Sequence, residues 1–195
     1  MLRDALRNHT RIQHARLEKR LAIERRVRQR DAYVDLLERF YGFYVRIEPR
    51  LAVFAPAFEA HGIDLASRSK VAQLRRDLIA LGERAAESES DLAPEISTFP
   101  QAVGCLYVLE GSTLGAQVIL KSIRASSGLD AETGAAFLSG YGAKTGSMWR
   151  AFLEFLSELT FTPYEAEQAI AAARETFERL EEFLCDPSPE LAVNA

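Results

Sequence analysis

Of the three histidines in this chain, only His14 falls on an apolar helical stripe. Leu2, Leu6, Thr10, His14, Leu17 and Leu21 recur at spacings of three and four, which puts them on one face turned toward a core. His9 is offset from that stripe and His61 stands beside Gly62, so both are expected at the surface. Glu18 follows His14 by one helical turn, within reach of its ring. A carboxylate there takes one ring nitrogen and leaves the other basic, as carboxylates do behind metal-bound imidazoles. Thr10, one turn earlier, is small and keeps the space above the ring open, while Arg7 adds a cation two turns away. A lone inward histidine is commonly a hydrogen-bonded core residue; these three neighbours weigh toward a ligand.

One imidazole is too few for zinc, which takes three or four protein ligands. One axial imidazole is enough for haem, whose other four ligands come from the porphyrin. Other chemistries find little in the sequence. There is no Glu-x-x-His pair of the di-iron bundles, no phosphate-binding glycine motif and no nucleophile elbow. Ser112 with His14 has no third group to complete a triad. Cys105 and Cys185 lack metal-ligand spacing and read as small buried hydrophobes.

A second signal lies a hundred residues on. Gly111 and Gly115 sit four apart inside a strongly helical stretch, each costing roughly 1 kcal/mol against alanine. At that spacing they strip one face of side chains. Something lies close against the backbone there, either another helix or a flat ligand.

The elements that must carry these residues are all helical. Helices are expected over 2–21, from Asp31 through Phe54 with a break at Pro49, from about Leu65 to Ala86, from Thr98 to Gly128 with a kink at the glycines, over 130–140, from Thr145 to Leu159, and from Thr162-Pro163 to Leu184. Residues 55–64 read as a connector and 186–195 as a flexible tail. No useful period-two alternation, repeat or linker occurs. The 195 residues, 48% hydrophobic and 27% charged, suit one all-α domain over 1–185. A net charge of −4 gives no general argument for nucleic acid, although 1–30 is basic and 153–190 acidic. No apolar run long enough for a bilayer and no signal-peptide pattern are read, so a reducing cytoplasm is the expected setting.

Two stretches carry a resemblance. Leu6-Arg7-Asn8-His9-Thr10-Arg11-Ile12-Gln13-His14-Ala15-Arg16-Leu17-Glu18 resembles the proximal helix of haem oxygenases. Tyr107-Val108-Leu109-Glu110-Gly111-Ser112-Thr113-Leu114-Gly115-Ala116-Gln117-Val118 resembles their distal helix in its bacterial form. Phe161-Thr162-Pro163 followed by ARETFERLEEFL is similar to the family's last helix.

The resemblance implies haem sandwiched between a proximal helix and a glycine-kinked distal helix, serving as both cofactor and substrate. O₂ and electrons from outside would open it to biliverdin, releasing iron and carbon monoxide. His14 matches the axial ligand to iron and Glu18 the acid that orients it. Gly111, Ser112 and Gly115 match the distal segment, with serine where animal enzymes have an aspartate. Arg7 and Tyr107 match groups that hold haem propionates, Arg150 is a second candidate cation for them, and Phe177 matches an aromatic lining the pocket beside Thr10. The basic residues Arg3, Arg7, Arg11, Lys121 and Arg124 form a candidate dock for a ferredoxin or reductase, and a phytochrome is a candidate acceptor of biliverdin. A haem carrier without turnover is the competing reading, and a cofactor-free helical interaction module is the third.

Overall fold

The computed structural model describes residues 1–85 and 93–185, apart from the side chains of Glu24 and Ser126. The expected tail at 186–195 and the whole polar run 87–91 with its two neighbours therefore lie outside the described residues. Among those described, eight α-helices and two short 3-10 turns follow one another: α1 (Leu2–Leu21), α2 (Ile23–Arg26), α3 (Arg30–Ala52), α4 (Ala55–Glu59), a turn at Ala66–Arg68, α5 (Val71–Ala80), α6 (Phe99–Ser127), a turn at Gly142–Lys144, α7 (Thr145–Glu158) and α8 (Pro163–Cys185).

The long helices begin where their caps dictate. Thr98 accepts the backbone N–H of Gln101, whose side chain returns to the Thr98 backbone, and Pro100 fills the first turn of α6. Thr162 and Glu165 make the same reciprocal pair at the start of α8. α6 ends on Gly128 at φ +71°, a conformation glycine adopts without the Cβ penalty.

α8 is the spine that joins the two ends of the chain. It packs along both α6 and α1, while α3 packs against α5 and α8. Arginines fasten α1 down: Arg16 Nε and Arg20 Nη1 donate to the buried Glu181 carboxylate at 2.5 and 2.8 Å, and Arg174 Nε donates to the His9 carbonyl at 2.9 Å.

Several expectations need correction. α3 does not break at Pro49 but continues to Ala52, and it starts at Arg30, so Asp31 lies in its first turn. Proline removes one hydrogen bond, and α3 absorbs that loss in its closing turn. The connector contains α4, with Pro56 in its first turn. The helix expected from Leu65 to Ala86 is only α5, opened by a turn and closed at Gly82 with φ +81°. Residues 130–140 form turns rather than a helix, because Asp130 holds the N–H groups of Glu132 and Thr133, and Asp77 takes those of Ala136 and Phe137. As expected, α6 spans Phe99 to Ser127 as one helix carrying both glycines. Against expectation, its stretch Phe99–Ala125 is long and apolar enough to cross a membrane by length and composition. It is the central helix instead, with 56% of that window buried under its neighbours.

Candidate functional site

α1 and α6 share α8 as a wall but scarcely pack on each other. The gap between them is where the chemically distinctive residues gather. On α1, Leu6 and Thr10 are buried, and the Thr10 hydroxyl donates to the Leu6 carbonyl at 2.7 Å. The Tyr107 hydroxyl of α6 lies close enough for Thr10 to draw its phenol down. Thr10 is thus buried and turned back on its own helix rather than leaving open space, which corrects one expectation.

One turn further, His14 is not covered by the core. Its side chain is 57% exposed, against the expected inward burial. The stripe was read correctly, but α1 rests on α8 with Leu6, Thr10 and Leu21 buried and leaves His14 exposed beside Phe177. The ring stands edge-on to the buried Phe177 of α8, centroids 5.7 Å apart at 83°. Nδ1 lies 3.5 Å from a Glu18 carboxylate oxygen, so Nε2 is the free nitrogen.

Across the gap, α6 presents a bare surface. A Cβ built on Gly115 would meet nothing within 4 Å, and one on Gly111 would reach only the Trp149 ring at 3.9 Å. Leu114 and Val118 are exposed at 40% and 65%. Apolar side chains flanking an uncovered glycine on the central helix are a surface that lacks its cover. Ser112 is exposed and donates to the Leu109 carbonyl at 2.7 Å, with the buried Tyr44 hydroxyl close enough to feel it. Burial holds the Tyr44 phenol above its ordinary range, the Ser112 contact working the other way.

Cations collect at one end. Burial raises the Tyr107 phenol, while Thr10 and the charges of Arg7 and Arg3 pull it back, so both arginines lie near this hydroxyl. Arg7 is exposed. Arg150 lines a neighbouring groove of about 390 Å³ with Arg3, Glu154 and Glu158. The structure therefore joins Arg7 with Tyr107 and places Arg150 beside Arg3, a residue the sequence reading assigned only to a docking rim.

Sequence reasoning missed what stands behind Ser112. Glu110 is 3% exposed and accepts hydrogen bonds from Arg68 Nη1 and, at 2.6 Å, from the Tyr141 hydroxyl. Burial raises the Glu110 carboxyl above its usual range, opposed by Arg68, Tyr141 and Lys70. The signal was present: Glu110 is the one acid in α6, and a carboxylate inside an apolar helix demands a buried partner.

A flat macrocycle suits these residues: one imidazole with a free Nε2, a backbone face bare of side chains, an aromatic side chain edge-on to the imidazole and cations at one rim. Among the described residues, no three His, Cys, Asp or Glu side chains stand together as a metal cage.

Comparison with known proteins agrees with this geometry. The family model described as Heme oxygenase matches residues 1–186. Heme oxygenase PigA of Pseudomonas aeruginosa is 28% identical over 173 residues, 88% of this chain and 85% of that protein. The NO- and CO-bound heme oxygenase from Neisseria meningitidis superposes with a TM-score of 0.84 at 24% identity, covering 97% of this chain and 94% of that one. The structure of heme oxygenase from Leptospira interrogans gives 0.75 at 18% identity, covering 94% and 98%.

Proposed function

The chain belongs to the heme oxygenase family, and from that premise we propose that it opens haem to biliverdin, iron and carbon monoxide in the cleft between α1 and α6. The observation that carries this reading is the pairing of an exposed His14 on α1 with the uncovered Gly115 on α6. Residues 1–185 are taken as the catalytic domain.

Bound haem supplies the iron that takes O₂ and the ring that is oxidised. Each residue around it has a separable task. His14 would hold the haem iron through Nε2, and Glu18 beside Nδ1 would keep the ring in one tautomer and one orientation. Phe177 limits how far that ring can tilt. Gly111 and Gly115 would let the α6 backbone lie against the macrocycle as no side chain would permit. Ser112, whose own proton is committed to Leu109, would offer its lone pairs to water and so order the hydrogen bonds in the cleft. Arg7 and Tyr107 would hold one propionate; Arg150 is assigned the other.

Electrons come from an acidic ferredoxin or reductase in the cytoplasm, docking on the basic rim of Arg3, Arg7, Arg11, Lys121 and Arg124. The test mixes the purified chain with hemin and then ascorbate in air. The Soret band of the complex should give way to biliverdin absorbance. A Soret band that persists would make the chain a haem carrier, and no band at all would reject the cleft as a haem site.

A further inference from the structure

A cavity of about 640 Å³ opens between α3, α5 and α6, on the side of α6 turned away from Gly111 and Gly115. Its walls are mostly apolar, formed by Val45, Leu51, Leu65, Val71, Leu106 and Leu109. The mouth is marked by exposed residues such as Asp64 and Ala72, and the inner end by the buried Arg68, Lys70 and Glu110. Volume and composition fall in the range of small-molecule sites, which combine apolar walls with a few convergent polar groups.

The hydrogen-bond inventory of that inner end indicates what kind of polar group is missing. Both carboxylates are supplied. Glu48 accepts from the Lys70 backbone at 2.6 Å, the Ser69 hydroxyl at 2.7 Å and the Val71 backbone at 3.3 Å. Glu110 accepts from Arg68 and from the Tyr141 hydroxyl. The donors are not supplied: Lys70 Nζ and Arg68 Nε are both buried without a hydrogen-bond partner. Lys70 is 2% exposed, and its ammonium rests on the Tyr141 ring, 3.4 Å from the centroid. A buried ammonium with no acceptor is costly. Burial accordingly pulls the Lys70 amine down to about 8, Arg68 adding to the effect while Glu110 and Glu48 oppose it. The unmet demand is for an acceptor, and the space next to it is apolar.

We propose that this cavity is a second ligand site, distinct from the haem cleft, for an amphipathic carboxylate whose apolar body fills the walls and whose head reaches Lys70 and Arg68. The haem reading is not needed for it.

Calorimetric titration of the full chain with dodecanoate, with and without one equivalent of hemin, tests the proposal. Saturable one-to-one binding is expected, unchanged by hemin and by His14→Ala. Lys70→Met should weaken it at least tenfold, roughly the loss of one charge-assisted hydrogen bond. Ala72→Trp, a change at the exposed mouth that leaves the core intact, should block entry and keeps the test decisive even if Lys70→Met fails to fold. The proposal is overturned by no saturable binding, by equal affinity for dodecanol, by competition from hemin, or by binding that Ala72→Trp leaves untouched.

Discussion

A Cβ placed on Gly104 would lie 2.0 Å from the carbonyl oxygen of Ala169 and 2.8 Å from its carbonyl carbon. Here α6 and α8 touch backbone to backbone, with Ala169, Ala172 and Ala173 keeping the contact close. The glycines of α6 therefore serve two ends. Gly104 admits a neighbouring helix, whereas Gly115 faces open space where a macrocycle would lie.

That contrast makes a paired prediction. Gly104→Ala pushes a methyl into backbone that cannot rotate away, and should cost about 3 kcal/mol or more in denaturant unfolding. Gly115→Ala meets no atom within 4 Å and should raise stability by up to about 1 kcal/mol through helix propensity. Its methyl would still stand between helix and haem, so turnover of hemin should fall although the fold improves. Equal stability losses at the two positions would contradict the assignment.

His14 makes a cleaner separation of folding from binding. Because its side chain is 57% exposed, His14→Ala should leave the urea midpoint within about 0.5 kcal/mol of wild type. The haem-imidazole Soret spectrum should disappear. An unchanged spectrum would mean that another group binds the iron.

How much of this was legible in the sequence follows from what each signal depends on. Helical periodicity is local, so α1, α6, α7 and α8 were readable to within a few residues, and the His14 stripe with them. Which part of a stripe gets covered depends on where α8 stops touching α1, and no local pattern carries that. The turns at 130–140 were misread because Asp77, some sixty residues earlier, supplies their acceptors. Gly104 was passed over for Gly111 and Gly115 because one glycine in a helix looks the same whether a helix or a void lies opposite. Glu110 was the missed chance: its burial was implied by its apolar neighbours, though not that Arg68 and Tyr141 would meet it.

Glu181 anchors the helix that carries His14. Its carboxylate is 4% exposed and receives Arg16 and Arg20, themselves about half exposed at 50% and 45%. Water screens the arginine ends, and both can solvate once released, so the Coulomb gain is small. Glu181→Gln should cost about 1–2 kcal/mol, mainly from lost charge-assisted hydrogen bonds. Hemin affinity should drop with it, because α1 loses its grip on α8 two residues beyond His14. Unchanged affinity in a destabilised variant would show that Arg174 and the buried leucines suffice to hold α1.

Asp77 predicts a pH dependence with a definite sign. It is fully buried and accepts the backbone N–H groups of Ala136 and Phe137 at 2.7 and 2.8 Å. Burial nevertheless pushes its carboxyl up to about 6, the two N–H groups and Arg76 only partly offsetting that. The folded state therefore binds this proton more tightly than the unfolded chain, where a free aspartate titrates near about 3.9. Its contribution to stability is greatest below the unfolded value and is lost as pH rises through about 6. Between pH 4 and 7, guanidinium unfolding of wild type should thus lose on the order of 2 kcal/mol relative to Asp77→Asn, which cannot ionise. The asparagine variant starts lower, since its amide N–H₂ faces a backbone donor, so the slope with pH rather than the offset carries the test. Parallel slopes would mean that the two backbone N–H groups fully replace the water this carboxylate gives up on folding.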